Sequence, residues 1–169
     1  MAEEIVNRVA QSGIEQIDLK SFLFSGDWAE IDMKDRLWNG LVLKEKDFRE
    51  WVKEHNWDQY ENSKVFMYCS EDAIIPSWAY MLITSKLENA EGVYFSASKV
   101  NAIEEDFFNN IQQWDTEELK DKIVMIKGCS DIPNPQKAYV EVTKKLQPVV
   151  KSLMFGEPCS AVPVYKRKK

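Results

Sequence analysis

An α/β fold, with a mostly parallel sheet flanked by helices and an internally duplicated strand, Cys-Ser, helix unit, is the architecture the sequence predicts, and three observations predict it. Residues 65–68 and 123–126 are continuous apolar runs, the form taken by strands covered on both faces. Each run leads into a Cys-Ser pair and then a helical stretch, over 76–87 and 135–146. The two stretches also correspond residue by residue. With Glu71 unpaired, Cys69, Ser70, Asp72, Pro76, Ala79, Tyr80, Thr84, Lys86 and Leu87 match Cys129, Ser130, Asp131, Pro135, Ala138, Tyr139, Thr143, Lys145 and Leu146, so half of the aligned positions are identical. Strand, loop, helix, strand, repeated, gives βαβ units and parallel pairing. A third Cys-Ser, Cys159-Ser160, precedes Pro163 and Tyr165 near the end of the chain.

Taken in order, residues 3–11 place Ile5, Val6 and Val9 on one helical face and read as a leading helix. The pattern over 17–24 is mixed, Ser25-Gly26-Asp27 marks a turn, and the alternation over 28–33 suits a half-buried strand. Residues 1–45 form an N-terminal appendage. Asp47 is the expected N-cap of a helix over 48–55, whose stripe is Phe48, Trp51, Val52 and His55. A first repeat spans 46–100 and a second 101–155, with Trp57-Asp58 and Trp114-Asp115 at matching places and a helix over 101–112. Strands are expected at 92–95 and 153–155, and 156–169 is a C-terminal cysteine loop with a basic tail. The helix over 76–87 is apolar nearly all round and reads as deeply packed, whereas 135–146 is polar on one side and covers an outer face. With no low-complexity linker, the whole chain, 1–169, reads as a single domain.

Composition bounds the function. A 169-residue chain that is 44% hydrophobic and 12% aromatic buries a core of its own. Its formal charge of -6 and pI near 5.0 repel polyanions, which excludes nucleic acid as main partner. The basic residues 166–169 read as a frayed, solubilising end, or as a contact for RNA or an acidic protein. No run approaches the roughly 20 apolar residues of a membrane span, and the acidic start Met1-Ala2-Glu3-Glu4 is unlike a secretory signal. An odd number of widely spaced cysteines suits a reducing compartment, so the expected location is the cytoplasm.

The chemistry centres on the cysteines. Loops after the carboxyl ends of parallel strands line ligand crevices, and Cys69, Cys129 and Cys159 each follow a strand. Brought together, three sulfurs would hold zinc, copper(I) or an iron-sulfur cluster. Asp72, Asp131, His55 or Glu157 could be a fourth ligand or support the ligands. Two other readings fit the same residues: Cys69 or Cys129 as a nucleophilic or redox thiol, or three small buried side chains repeated by duplication in a structural or interaction protein. His55 also suits a helix C-terminus without chemistry, Asp72 and Asp131 suit helix caps, and Tyr80 and Tyr139 suit packing. Gly156-Glu157-Pro158 reads as a turn that aims Cys159. Glycine-rich phosphate loops, GxSxG and paired-histidine metal motifs are absent from the sequence.

Several stretches carry a resemblance: residues 1–9, residues 40–49, the segment from Cys69 to Tyr80, Lys127-Gly128-Cys129-Ser130-Asp131, and Ser152-Leu153-Met154-Phe155-Gly156-Glu157-Pro158-Cys159-Ser160. They resemble a bacterial family catalogued as domain of unknown function 2480, over essentially the whole chain. The resemblance supplies no activity. It implies a cytoplasmic bacterial protein and an association with iron-sulfur assembly proteins.

Overall fold

The computed structural model describes residues 13–128, 131–157 and 160–168. They fall into two units, one drawn from Met1–Phe24 and Glu104–Lys169, the other formed by Ser25–Ile103. Together they contain four α-helices and nine strands, and the strand pairing is mostly parallel.

The Ser25–Ile103 unit is organised by its central strand. It runs from β2 (Trp28–Asp32) through a 3-10 turn at Met33–Arg36 to a short hairpin, β3 (Leu37–Trp38) and β4 (Val42–Leu43). Then come α1 (Glu45–Glu54), a 3-10 turn at Trp57–Tyr60, β5 (Lys64–Tyr68), α2 (Ser77–Thr84) and β6 (Gly92–Phe95). β5 lies between β2 and β6 and is parallel to both, pairing Met67 with Ile31 on one side and with Phe95 on the other. Alternate residues of β5 point to opposite faces. Val65 and Met67 enter a core with Ile31, Met33, Phe48, Val52, Ala79 and Ile83, while Phe66 is buried on the other face. Asn39 and Gly40, at φ 52° and 69°, take the left-handed backbone that the β3–β4 hairpin turns on.

In the other unit, β1 (Ile14–Ile17) is followed by a 3-10 turn at Leu19–Phe22. The chain re-enters this unit at Glu104, inside α3 (Lys99–Gln113), and passes through a 3-10 turn at Glu117–Leu119 to β7 (Ile123–Ile126). α4 (Pro135–Leu146), β8 (Ser152–Phe155) and β9 (Val162–Lys166) complete it. The sheet order is β1-β7-β8-β9, with β9 antiparallel at the edge. Phe107, Phe108, Ile111, Val124, Ala138, Val142, Leu146 and Leu153 form its core.

Several expectations are corrected. The segment over 17–24 begins at the last residue of a strand, β1, whose Glu15 and Gln16 interrupt its apolar residues. Asp47 is not the cap of α1: the helix begins at Glu45 after Lys44, which makes no side-chain capping bond, and Asp47 lies in the first turn, where its charge suits the helix dipole. α2 is not deeply packed. Only Ala79 and Ile83 are buried on it and Met81 is 72% exposed, so it covers one face of its sheet as α4 does. The C-terminal segment adds a strand, β9, which Pro163 obscures in the sequence; the edge position and a register shift opposite Leu153 and Met154 accommodate a residue without an amide proton. The expected helix over 3–11 lies outside the described residues. The strands at 92–95 and 123–126 and the helix over 135–146 lie as expected.

Candidate functional site

The carboxyl ends of β2 and β5 meet through one side chain. Asp32 is the last residue of β2 and caps the following 3-10 turn, its Oδ1 accepting the Lys34 amide at 3.0 Å. The same oxygen accepts the Ser70 amide at 3.0 Å, so the carboxylate spans from its own strand to the loop after β5. The Lys34 ammonium lies 3.6 Å from Oδ2, and the Asp32 side chain is only 10% exposed. Burial by itself would raise the Asp32 pKa. Hydrogen bonds from the Ser70 hydroxyl, the Lys34 amide and the Ser70 amide, with the Lys34 charge, outweigh it and hold the carboxyl below its ordinary range. Asp32 is therefore an anion that fixes the peptide immediately after Cys69.

Cys69 is a free, half-buried cysteine at the rim of the sheet, packed against the core beside Tyr80. Tyr80 rises from the middle of α2, and its ring meets that of Phe95 at the end of β6, edge to face at 5.1 Å. Burial first, and then electrostatic interaction with the neighbouring Cys69 and Asp32 side chains, push the Tyr80 phenol up from its usual value, so it stays a protonated donor in neutral water. The rim of this unit thus presents a thiol, a phenol, the exposed hydroxyl of Ser70 and one organising carboxylate.

A related set lies at the carboxyl ends of β1 and β7. Asp18 caps the 3-10 turn after β1, its Oδ1 accepting the Lys20 amide at 3.0 Å and its Oδ2 lying 3.6 Å from the Lys127 ammonium. The Tyr139 hydroxyl donates to the carbonyls of Lys127 at 3.4 Å and Gly128 at 3.5 Å, and its ring meets Phe155 edge to face at 5.0 Å. Gly128 leaves room for that ring: a Cβ would lie 2.9 Å from Cζ of Phe155.

Of the expected metal ligands, Cys129 and Cys159 lie outside the described residues. Among the described residues no group of three or more His, Cys, Asp and Glu is placed to hold a metal ion. Asp72 and Asp131 are exposed, and neither caps the helix that follows it. The N-cap of α2 is Pro76, without a side-chain bond, whereas Asn134 caps α4 through the Lys137 amide. Glu157 is half-buried, and its carbonyl accepts the Ser160 amide at 2.9 Å.

His55 ends α1 inside an aromatic cage. Its ring lies 4.8 Å from Trp51, 4.6 Å from Trp57 and 5.7 Å from Tyr60, with Nε2 3.1 Å from the Tyr60 hydroxyl. Burial, and then the Arg36 charge, lower its pKa, so it is neutral at pH near 7 and occupied with packing.

Asp32 and Asp18 are the residues that sequence reasoning missed. The signal was present as Ile31-Asp32-Met33-Lys34 against Ile17-Asp18-Leu19-Lys20, a short echo ahead of the cysteine repeats. A family model described as "Protein of unknown function (DUF2480)" matches residues 3–167. No curated protein and no solved structure matches the chain. No helix among the described residues is long and apolar enough to cross a membrane.

Proposed function

Because the chain belongs to DUF2480, a family without an assigned activity, we propose from its own geometry that it is a thiol-dependent protein acting through Cys69. The single observation carrying this reading is the Asp32 bridge to the Ser70 amide, which fixes the backbone beside a free thiol at the carboxyl rim of a parallel sheet. Rims of this kind are where such folds bind ligands. Tyr80 supplies a hydroxyl near the sulfur, while the Ser70 hydroxyl serves the Asp32 carboxylate. In the step proposed, the thiol loses its proton to solvent and its sulfur attacks an electrophilic carbon or sulfur. One S–C or S–S bond forms while the displaced group leaves with its electron pair.

Alkylation read peptide by peptide tests this. In the native protein Cys69 is expected to react with iodoacetamide faster than the same thiol in the urea-unfolded chain at one pH. A rate equal to or below the unfolded one counts against the reading. Metal analysis of protein purified without oxygen distinguishes the competing reading, since bound zinc or iron lost on Cys69→Ala would assign the sulfur to a metal centre instead.

The reading extends to an internal duplication. What supports it is the element order that the units share: strand, 3-10 turn, helix, 3-10 turn, strand, helix, strand, with the β3–β4 hairpin added in one and β9 in the other. The pairs Asp32 and Asp18, Lys34 and Lys20, Tyr80 and Tyr139, Phe95 and Phe155 hold like positions. Taken with their first strands, the copies reach back to β1 and β2.

A further inference from the structure

The Ser25–Ile103 unit contains a cleft of about 230 Å³ that the Cys69 reading does not use. Its walls include Arg36 from the 3-10 turn after β2, Trp38 from β3, Lys44 ahead of α1, and Trp51 from α1. Each cation is laid over an indole: the Arg36 guanidinium is 4.6 Å from the ring centre of Trp51, and the Lys44 ammonium 3.9 Å from that of Trp38. Trp38 is 53% exposed and keeps open indole surface. Asp35 and Asp47 line the same cleft, yet among the described residues neither Arg36 nor Lys44 forms an ion pair. A half-buried guanidinium without a carboxylate keeps unused donors in a fixed fork. Its charge is felt nearby, where it helps depress His55.

We infer that this cleft is a binding site for a small anion carried on a flat ring, a single-ring aromatic acid, whose carboxylate meets the forked donors of Arg36 and the Lys44 ammonium while its ring stacks on the exposed face of Trp38. Size limits the ligand, because drug-sized molecules fill pockets of roughly 300–1,000 Å³ and this cleft is smaller. Charge and shape are both required. A neutral ring leaves the guanidinium unpaired, and an aliphatic acid forfeits the stacking. The nearby Asp35 and Asp47 carboxylates disfavour anions that do not seat on the two cations, which makes the preference positional.

Benzoate is the probe, with benzamide and cyclohexanecarboxylate as matched controls, read from the indole N–H signals of Trp38 and Trp51 in nuclear magnetic resonance spectra of the full chain. Benzoate is expected to shift both signals saturably and both controls to bind more weakly. Arg36→Lys keeps the charge and loses the fork, and is expected to weaken benzoate about tenfold, the scale of one charge-assisted hydrogen bond. Lys44→Gln is expected to weaken it as well. Unmoved indole signals, equal shifts from benzoate and benzamide, or unchanged affinity in the Arg36→Lys, Lys44→Gln double variant each overturn the assignment. The benzoate and benzamide comparison uses the unmodified protein, so the test stands if a variant fails to fold.

Discussion

Asp32 performs two tasks with one oxygen, closing the turn after its own strand and holding the Ser70 amide on the next loop. Hydrogen bonds to a charged group are worth about 1.5–3 kcal/mol. Asp32→Ala is therefore expected to lower the unfolding free energy by about 2 kcal/mol and Asp32→Asn, which keeps an acceptor, by about 1 kcal/mol. The pH dependence has a fixed sign. The folded pKa lies below the unfolded value of about 3.9, so the contribution of the charge is present above that value and is lost as pH falls through the folded pKa. In urea-unfolding series from about pH 6 downward, the gap between the native chain and Asp32→Asn should close in acid. A gap constant across that range would show that the carboxylate charge contributes nothing. The cysteines were visible because they recur in Cys-Ser, whereas an aspartate contributes through a bond to a residue 38 positions away, which no local spacing encodes. The lysine two residues on made the echo legible only in retrospect.

At the scale of elements, what could be read from the sequence was whatever buries one continuous apolar run. β5 and β7 are covered on both faces, and α4 shows one apolar stripe of Ala138, Val142 and Leu146, so their patterns are plain. β1 has Glu15 and Gln16 between its two isoleucines, β3 and β4 have two residues each, and β9 carries a proline, so local pattern could not announce them. Apolar content does not measure the depth of α2, because Met81 faces outward. Two contacts at the ends of these elements yield measurable costs. Gly128→Ala drives a methyl into the Phe155 ring and is expected to cost about 1–3 kcal/mol, as overpacking does. Phe155→Leu in the same chain should recover part of that loss, and if the double variant is no more stable than Gly128→Ala, the clash is not with Phe155. Asn134→Ala removes the α4 cap and places alanine at φ 41°, so a loss of about 1 kcal/mol is expected. Asn134→Gly, which tolerates that backbone, should lose less. Equal losses would assign the effect to the side-chain bond alone.

For the whole molecule, each unit has a hydrophobic cluster of its own, and each cluster is anchored by a large buried ring: Phe48 in one and Phe107 in the other. The tryptophans are divided unevenly. Trp28, Trp38, Trp51, Trp57 and Trp78 lie in the Ser25–Ile103 unit, and Trp114 alone lies in the other. Indole fluorescence of a Trp114→Phe chain therefore reports the Ser25–Ile103 unit, whereas far-ultraviolet dichroism reports both. Phe48 packs against the rings of Trp51 and Trp78, at 5.5 and 5.7 Å, so its loss removes core volume and aromatic contact together. Phe48→Ala is expected to cost about 3–5 kcal/mol, out of a total that for whole domains is typically about 5–15 kcal/mol. In the Trp114→Phe background this should move the urea midpoint seen by fluorescence well below that of the parent. An unchanged fluorescence midpoint would mean that Phe48 is not a keystone of its cluster. Phe107→Ala supplies the comparison, because its ring is fully buried in the other cluster and meets Phe108 at 5.4 Å. Its cost of about the same size should be seen in dichroism, and it tests the second cluster by a route that does not depend on the first.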